Sequence, residues 1–245
     1  MSLKVDNLVG GYSRIPVLKD VSFDVKDGEL VGLIGLNGAG KSTTINHVIG
    51  LLRPFSGSIK INGIAMQDDI EEYKKQIAYI PEFPVLYKEL TLKEHIETTI
   101  KAYELDEQAA WEDANKMLKM FRLENKLEWF PVNFSKGMRQ KVMILCAFIT
   151  NANLFVIDEP FLGLDPVAVN DLLNLIEEQK KKGSSILMST HVLDTAERFC
   201  DRFVLIHNGQ IRTEGNIQKL QDEFGNKDSS LNDIYLKLSK EESNE

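Results

Sequence analysis

The sequence predicts an α/β fold, a sheet of buried parallel strands alternating with helices and interrupted by a helical insertion. Three observations predict it. The apolar run Leu30-Val31-Gly32-Leu33-Ile34 leads directly into Gly35-Leu36-Asn37-Gly38-Ala39-Gly40-Lys41-Ser42-Thr43 and then into a helical stretch from Thr44 to Leu52. A second apolar run, Leu154-Phe155-Val156-Ile157, ends in Asp158-Glu159, the pattern of a buried strand that delivers carboxylates at its carboxyl end. Between the two, residues 88–140 carry helical periodicity with no strand signal.

In chain order, Leu3, Val5 and Leu8 share one face, and Val17-Leu18, Val21, Phe23 and Val25 repeat the pattern, so two short strands precede the glycine-rich loop. Gly10-Gly11-Tyr12-Ser13-Arg14 reads as the loop between them, and Asp27-Gly28 as the turn into the next strand. Arg53-Pro54 and Ser56-Gly57 stop the helix that follows Thr43, and Ser58 to Ile61 reads as a strand closed by the Asn62-Gly63 turn. Ile77 to Ile80 is a further strand, ending at Pro81-Glu82-Phe83-Pro84.

Thr91-Leu92-Lys93-Glu94 has the form of a capping box, in which Thr and Glu satisfy each other's backbone donors, and opens a helix through Ile96 and Ile100. Asp106 to Phe121 and Met138 to Ile149 are two more helices, separated by Pro131 and Asn133-Phe134-Ser135-Lys136-Gly137. After the strand at 154–157, Pro166 to Lys182 is a helix ending at Gly183, Ser185 to Met188 a strand, and a helix follows His191. Phe203 to Ile206 and Gln210 to Arg212 form a hairpin about Asn208-Gly209, and Asn216 to Leu238 is helical in pattern before a polar, frayed end.

The composition narrows the class. With 245 residues and 43% hydrophobic content the chain can bury a large core, and its net charge of -8 argues against nucleic acid, which demands a basic face. The longest apolar run, Val142 to Ile149, is far short of the ~20 residues that span a bilayer. Met1 to Val9 carries Lys4 and Asp6 with no apolar core of a signal peptide. Cys146 and Cys200 read as small buried hydrophobes of a reducing compartment.

The chemistry is concentrated in a few positions. Gly35, Gly38 and Gly40 let successive backbone N–H groups of Asn37, Ala39 and their neighbours turn inward around a polyphosphate, at the positive end of a new helix. Lys41 then reaches the β/γ-phosphates, Ser42 ligates Mg²⁺ and Thr43 completes the motif. Asp158 is placed to hold Mg²⁺ through its water shell, and Glu159 to deprotonate a water attacking the γ-phosphate.

Those two phosphate motifs, together with Phe134-Ser135-Lys136-Gly137-Met138-Arg139-Gln140 between them, make the chain resemble the nucleotide-binding subunits of ATP-binding cassette (ABC) transporters over nearly its whole length. Lys136 and Met138 depart from the family's usual Leu-Ser-Gly-Gly-Gln. The resemblance implies a P-loop NTPase core of ABC ATPase type, with an antiparallel β subdomain and an inserted α-helical subdomain at about 88–140. It implies a nucleotide-binding domain over 1–215 and a C-terminal helical extension over 216–245.

By resemblance, ATP is bound with Mg²⁺ and hydrolysed between two copies of the chain paired head to tail, each ATP held by residues 35–43 of one copy and by Ser135 and Gly137 of the other. His191 then corresponds to the family's switch histidine, Tyr12 to the aromatic that stacks on adenine, and Glu82 to a position near Mg²⁺ that is usually Gln. Asp165 corresponds to the segment linking the two sites, and reads equally as a helix cap ahead of Pro166. Phe83-Pro84-Val85-Leu86 would offer an apolar surface to a membrane subunit.

More narrowly, Phe83 to Tyr87, Trp129-Phe130-Pro131 and Met188-Ser189-Thr190-His191 resemble the Ecs-type ATPases of Gram-positive bacteria. That implies a separate polytopic partner, an EcsB-like permease, an export function, and a cytoplasmic position on the inner face of the membrane. The alternative, a cassette ATPase of translation or DNA maintenance, would call for two cassettes or a long coiled coil between the phosphate motifs, and the chain has neither. A phosphate-loop kinase or GTPase is excluded by the segment at 134–138 together with His191.

Overall fold

A computed structural model describes residues 2–224 and 229–241. The chain opens with β1 (Leu3–Tyr12) and β2 (Ile15–Val25), then β3 (Leu30–Ile34), α1 (Lys41–Val48), β4 (Ser56–Ile61), β5 (Ile64–Ala65), α2 (Ile70–Lys75) and β6 (Ile77–Ile80). Helices α3 (Leu92–Ala102), α4 (Glu107–Phe121) and α5 (Lys136–Phe148) follow, with short 3₁₀ turns over Glu124–Lys126 and Pro131–Asn133. The remainder is β7 (Leu154–Asp158), α6 (Pro166–Lys181), β8 (Ser185–Ser189), α7 (Leu193–Phe199), β9 (Arg202–His207), β10 (Gln210–Gly215), α8 (Ile217–Phe224) and α9 (Leu231–Glu241).

Two sheets result. The larger has the order β10-β9-β3-β8-β7-β6, with β9 to β6 parallel and β10 antiparallel at the edge. The smaller is antiparallel, in the order β2-β1-β4-β5. β7 is apolar without interruption up to its last residue because both faces of the large sheet are covered. Its Leu154 and Val156 pack on the side of the small sheet and α1, whereas Phe155 and Ile157 pack among α3 to α6.

The strand order also locates a site. After β3 the chain leaves for β6, returns through β7 and β8 to the flank of β3, and then crosses over it to β9. Such a reversal opens a crevice beyond the carboxyl ends of the strands.

Several local expectations are corrected. Gly10 to Tyr12 lies in β1 rather than in a loop: Gly11 pairs with Pro16 and Tyr12 with Ile15. The turn is only Ser13-Arg14, both at positive φ, the geometry of a two-residue hairpin built here without glycine. α1 ends at Val48, where Gly50 at φ +75° turns the chain out of the helix, and Ser56-Gly57 opens β4 instead of stopping the helix.

α2 is absent from the sequence reading; its one clear signal is Asp69, whose carboxylate accepts from the Glu71 and Glu72 N–H groups. The stretch from Asn216 to Leu238 is two helices, α9 being started afresh by Ser230 and Asp233, which exchange hydrogen bonds as a cap. Residues 225–228, and the tail beyond 241 for which fraying is expected from the sequence, lie outside the described residues. The capping box at α3 is as expected, with Thr91 N–H donating to Glu94 at 2.7 Å and Glu94 N–H to Thr91 Oγ1 at 3.2 Å.

Candidate active site

The carboxyl ends of β3, β6, β7 and β8 carry the loop at 35–43, Glu82, Asp158-Glu159 and His191 respectively, so the sheet gathers residues more than a hundred positions apart. Within the loop, Leu36, Asn37 and Gly38 are exposed while Gly35, Ala39 and Gly40 are buried. Gly40 sits at φ +116°, and a Cβ there would come within 2.9 Å of Leu18, so the residue that opens α1 must be glycine on both counts.

Lys41 is buried, its ammonium donating to the Gly35 and Leu36 carbonyls at 2.7 and 3.3 Å across the mouth of the loop. Burial pushes its pKa down, and the charges of Glu159, Asp158 and Glu82 pull it back up. Three carboxylates and one lysine thus share an electrostatic neighbourhood. Ser42 is exposed and Thr43 buried beside it.

Asp158 is nearly covered, and burial raises its carboxyl above the usual range, opposed by a hydrogen bond from Ser189 Oγ and by Lys41. Tyr79, next to Asp158 and Glu82, is pushed up to about 12, chiefly by burial. Glu159 adopts φ +47°, an uncommon left-handed conformation for a non-glycine residue, of a kind that costs roughly 1–3 kcal/mol. It is held there by its own N–H donating to Ser189 O at 3.1 Å and by its side chain, which accepts from His191 Nδ1 at 2.7 Å and from His191 N–H at 3.2 Å. These contacts fix a hydrogen on His191 Nδ1 opposite the carboxylate.

Among the described residues no group of three or more His, Cys, Asp or Glu side chains forms a metal cage. Ser42, Asp158 and Glu82 nevertheless offer oxygens of the kind that suits Mg²⁺, which is held through one or two carboxylates and completes its shell with water and substrate phosphates. Tyr12, half exposed at the end of β1, receives a 3.3 Å hydrogen bond from Asn46 on α1, which sets its ring beside the helix that follows the loop.

Ser135, Gly137 and Asp165 form a separate group. Ser135 caps α5 by accepting from Met138 N–H at 3.2 Å, and Asp165 caps α6 by accepting from Ala168 N–H at 2.9 Å. Asp165 also receives Lys141 at 3.1 Å. Gly137 lies against Gly163, whose carbonyl oxygen would stand 2.7 Å from any Cβ at 137. None of the described hydrogen bonds joins Ser135 or Gly137 to residues 35–43. Ser189 is the residue that sequence reasoning missed as a participant, since a serine ending a strand carries no signal until β7 and β8 are known to be neighbours.

The profile of the family described as ABC transporter matches residues 18–162. The chain is 56% identical to the ABC-type transporter ATP-binding protein EcsA of Bacillus subtilis (strain 168), over 98% of this chain and 97% of that protein. It superposes with a TM-score of 0.96 and 52% identity on a solved structure of an ATP-binding subunit of an ABC transporter, covering 98% of this chain and 100% of the other. The dimeric, post-hydrolysis structure of the ATP-binding cassette MJ0796 bound to ADP and Pi is similar with a TM-score of 0.77 and 27% identity, over 88% of this chain and 98% of that one.

Proposed function

The chain belongs to the ABC transporter family as an ATP-binding ATPase subunit, and from that premise we propose that it powers export through a separate polytopic membrane subunit, an EcsB-like permease. Two copies close head to tail on two ATP molecules, and hydrolysis reopens them. The observation that carries this reading is the division of the phosphate-binding groups: Lys41, Asp158, Glu159 and His191 converge beyond the carboxyl ends of the strands, while Ser135 caps α5 and Gly137 lies in its first turn, elsewhere. A second copy completes the site, as the dimeric MJ0796 cassette with ADP and Pi supports.

In this reading the N–H groups of residues 37–43 cradle the phosphates, and Lys41 exchanges its carbonyl partners for phosphate oxygens. Ser42, Asp158 and Glu82 would hold Mg²⁺, which when bound would supply charge neutralisation for the β/γ-phosphates. Glu159 accepts the proton of the attacking water, and the His191 Nδ1–H keeps its carboxylate aimed. Tyr12 stacks on adenine, and Asp165 sits next to the composite site while capping α6.

Residues 1–215 act as the nucleotide-binding body, 88–140 as its helical part and 216–245 as an extension. Phe83, Val85 and Tyr87 stand exposed between β6 and α3 as the apolar surface on which the membrane subunit docks. Among the described residues no helix is long and apolar enough to cross a membrane, so in this reading attachment to the inner face runs through that partner. Export, rather than uptake, rests on the Ecs-type strings at 83–87, 129–131 and 188–191.

Glu159→Gln tests the core of the reading. It should bind ATP, lose turnover and sediment as an ATP-dependent dimer; turnover near the wild-type rate removes Glu159 as the base. Affinity purification from membranes should return a multi-span protein.

A further inference from the structure

Lys136 stands where the family's signature usually has glycine, and its side chain makes contacts that no glycine could make. Its ammonium lies 5.3 Å from the centre of the Phe83 ring, within cation–π range. Its methylenes pass over Gly163, 3.5–3.7 Å from the position a Cβ would take there. The neighbouring Gly137 touches the Gly163 carbonyl, and one turn further Lys141 pairs with Asp165.

One side chain therefore bridges three segments: the apolar surface after Glu82, the first turn of α5, and the segment 161–165 that runs from Glu159 to α6. Phe83 is 58% exposed, so this ring is both part of the outer surface and the partner of Lys136. Among the described residues Lys136 is exposed and makes no ion pair with a carboxylate, so its charge faces the Phe83 ring and water.

We infer that Lys136 is a positioning residue that couples the surface at Phe83 to the signature turn, so that displacement of Phe83 by a bound partner is felt at Ser135 and Gly137. The inference rests on the docking role proposed for that surface and on the two-copy site. A turn already ordered by this bridge loses less freedom when it closes on ATP. Without the bridge, closure needs more nucleotide.

The test uses the full chain with Lys136→Met, which keeps the stem, Lys136→Arg, which keeps the cation, Phe83→Leu, and the Lys136→Met/Phe83→Leu pair. In the nucleotide-free protein, Lys136→Met should speed amide hydrogen exchange in residues 82–88 and leave 161–165, which the retained stem still covers, unchanged, whereas Lys136→Arg should alter neither. In the Glu159→Gln background, Lys136→Met and Phe83→Leu should each raise the ATP concentration for half-maximal dimerisation by about two- to fivefold. The pair should do no worse than either alone, and binding of ATP to the monomer should stay unchanged.

Unaltered exchange in residues 82–88 with Lys136→Met, or fully additive effects in the pair, overturns the bridge. Equal losses with Met and Arg overturn the role of the charge. If the Glu159→Gln parent itself does not dimerise, the two-copy reading fails first and the proposed coupling with it, while the exchange measurement still decides whether the bridge exists.

Discussion

Glu159 and His191 are joined by a 2.7 Å hydrogen bond although 32 residues separate them. β7 and β8 are neighbours in the sheet, each ending just before one of the two residues, and the backbone N–H of His191 reinforces the contact. Glu159 is largely covered and His191 largely exposed, so the histidine closes the outer side of the carboxylate.

That arrangement makes His191 an aiming group for the proposed base. His191→Ala should lower kcat by about 100-fold, the scale of a misplaced catalytic group, with a smaller change in KM for ATP. Steady-state ATPase kinetics check this, and a kcat within twofold of wild type would detach His191 from the reaction.

Ser135→Arg should abolish ATP-dependent dimerisation and leave ATP binding to the monomer intact. Because Ser135 also caps α5, its loss removes about 1 kcal/mol of helix stabilisation, so Ser135→Asn, which preserves a cap, is the control. Analytical ultracentrifugation with ATP in the Glu159→Gln background separates the two effects. A dimer formed by Ser135→Arg would contradict the two-copy site.

Asp158→Asn should stabilise the nucleotide-free chain while eliminating Mg²⁺-dependent hydrolysis. Burial raises the Asp158 carboxyl above its ordinary value, so its contribution is most favourable when protonated and is lost as pH rises through the elevated value. Above that elevated value the ionised group is therefore a liability that asparagine removes. Thermal unfolding should give a higher midpoint for the variant at pH 7, and the difference should shrink on acidification toward the carboxylate range.

His95 fixes the base of the exposed surface at 83–87. Its Nδ1 faces the Thr91 carbonyl at 2.7 Å, which requires a hydrogen there, and its Nε2 accepts from the Tyr87 N–H at 3.0 Å. His95→Phe keeps the ring volume and removes both bonds, which should cost about 1 kcal/mol per bond and speed exchange at the Tyr87 amide. ATP turnover by the isolated chain should change little, whereas retention of the membrane partner in affinity purification should fall.

Much of the fold was legible because local signals were strong. The glycine-rich loop after β3, the Thr91 and Glu94 capping box, Pro166 opening α6 and the Asn208-Gly209 turn each carry their geometry in adjacent residues. Tyr12 reads as a loop residue from the sequence because the Ser13-Arg14 turn takes positive φ without glycine or asparagine. α2 escaped notice because at six residues it is shorter than two helical turns and shows no usable periodicity. The break between α8 and α9 had a local signal, Gly225-Asn226 followed by Asp228-Ser229-Ser230, a helix-stop and loop composition.

The sequence by itself determined the chemical pattern: a glycine-rich loop of the phosphate-cradling form, an Asp-Glu pair at the end of a buried strand, and a signature segment that resembles that of its family. These are properties of neighbouring residues, set by backbone freedom and side-chain type. Only the tertiary structure decided which of them meet. The strand order brings Lys41, Asp158, Ser189, Glu159 and His191 together at the carboxyl ends of the strands, and it leaves Ser135 capping α5 with Gly137 of its first turn against Gly163. It also lays Lys136 across to Phe83, because contacts between distant segments follow from how sheets and helices pack, which no local pattern encodes.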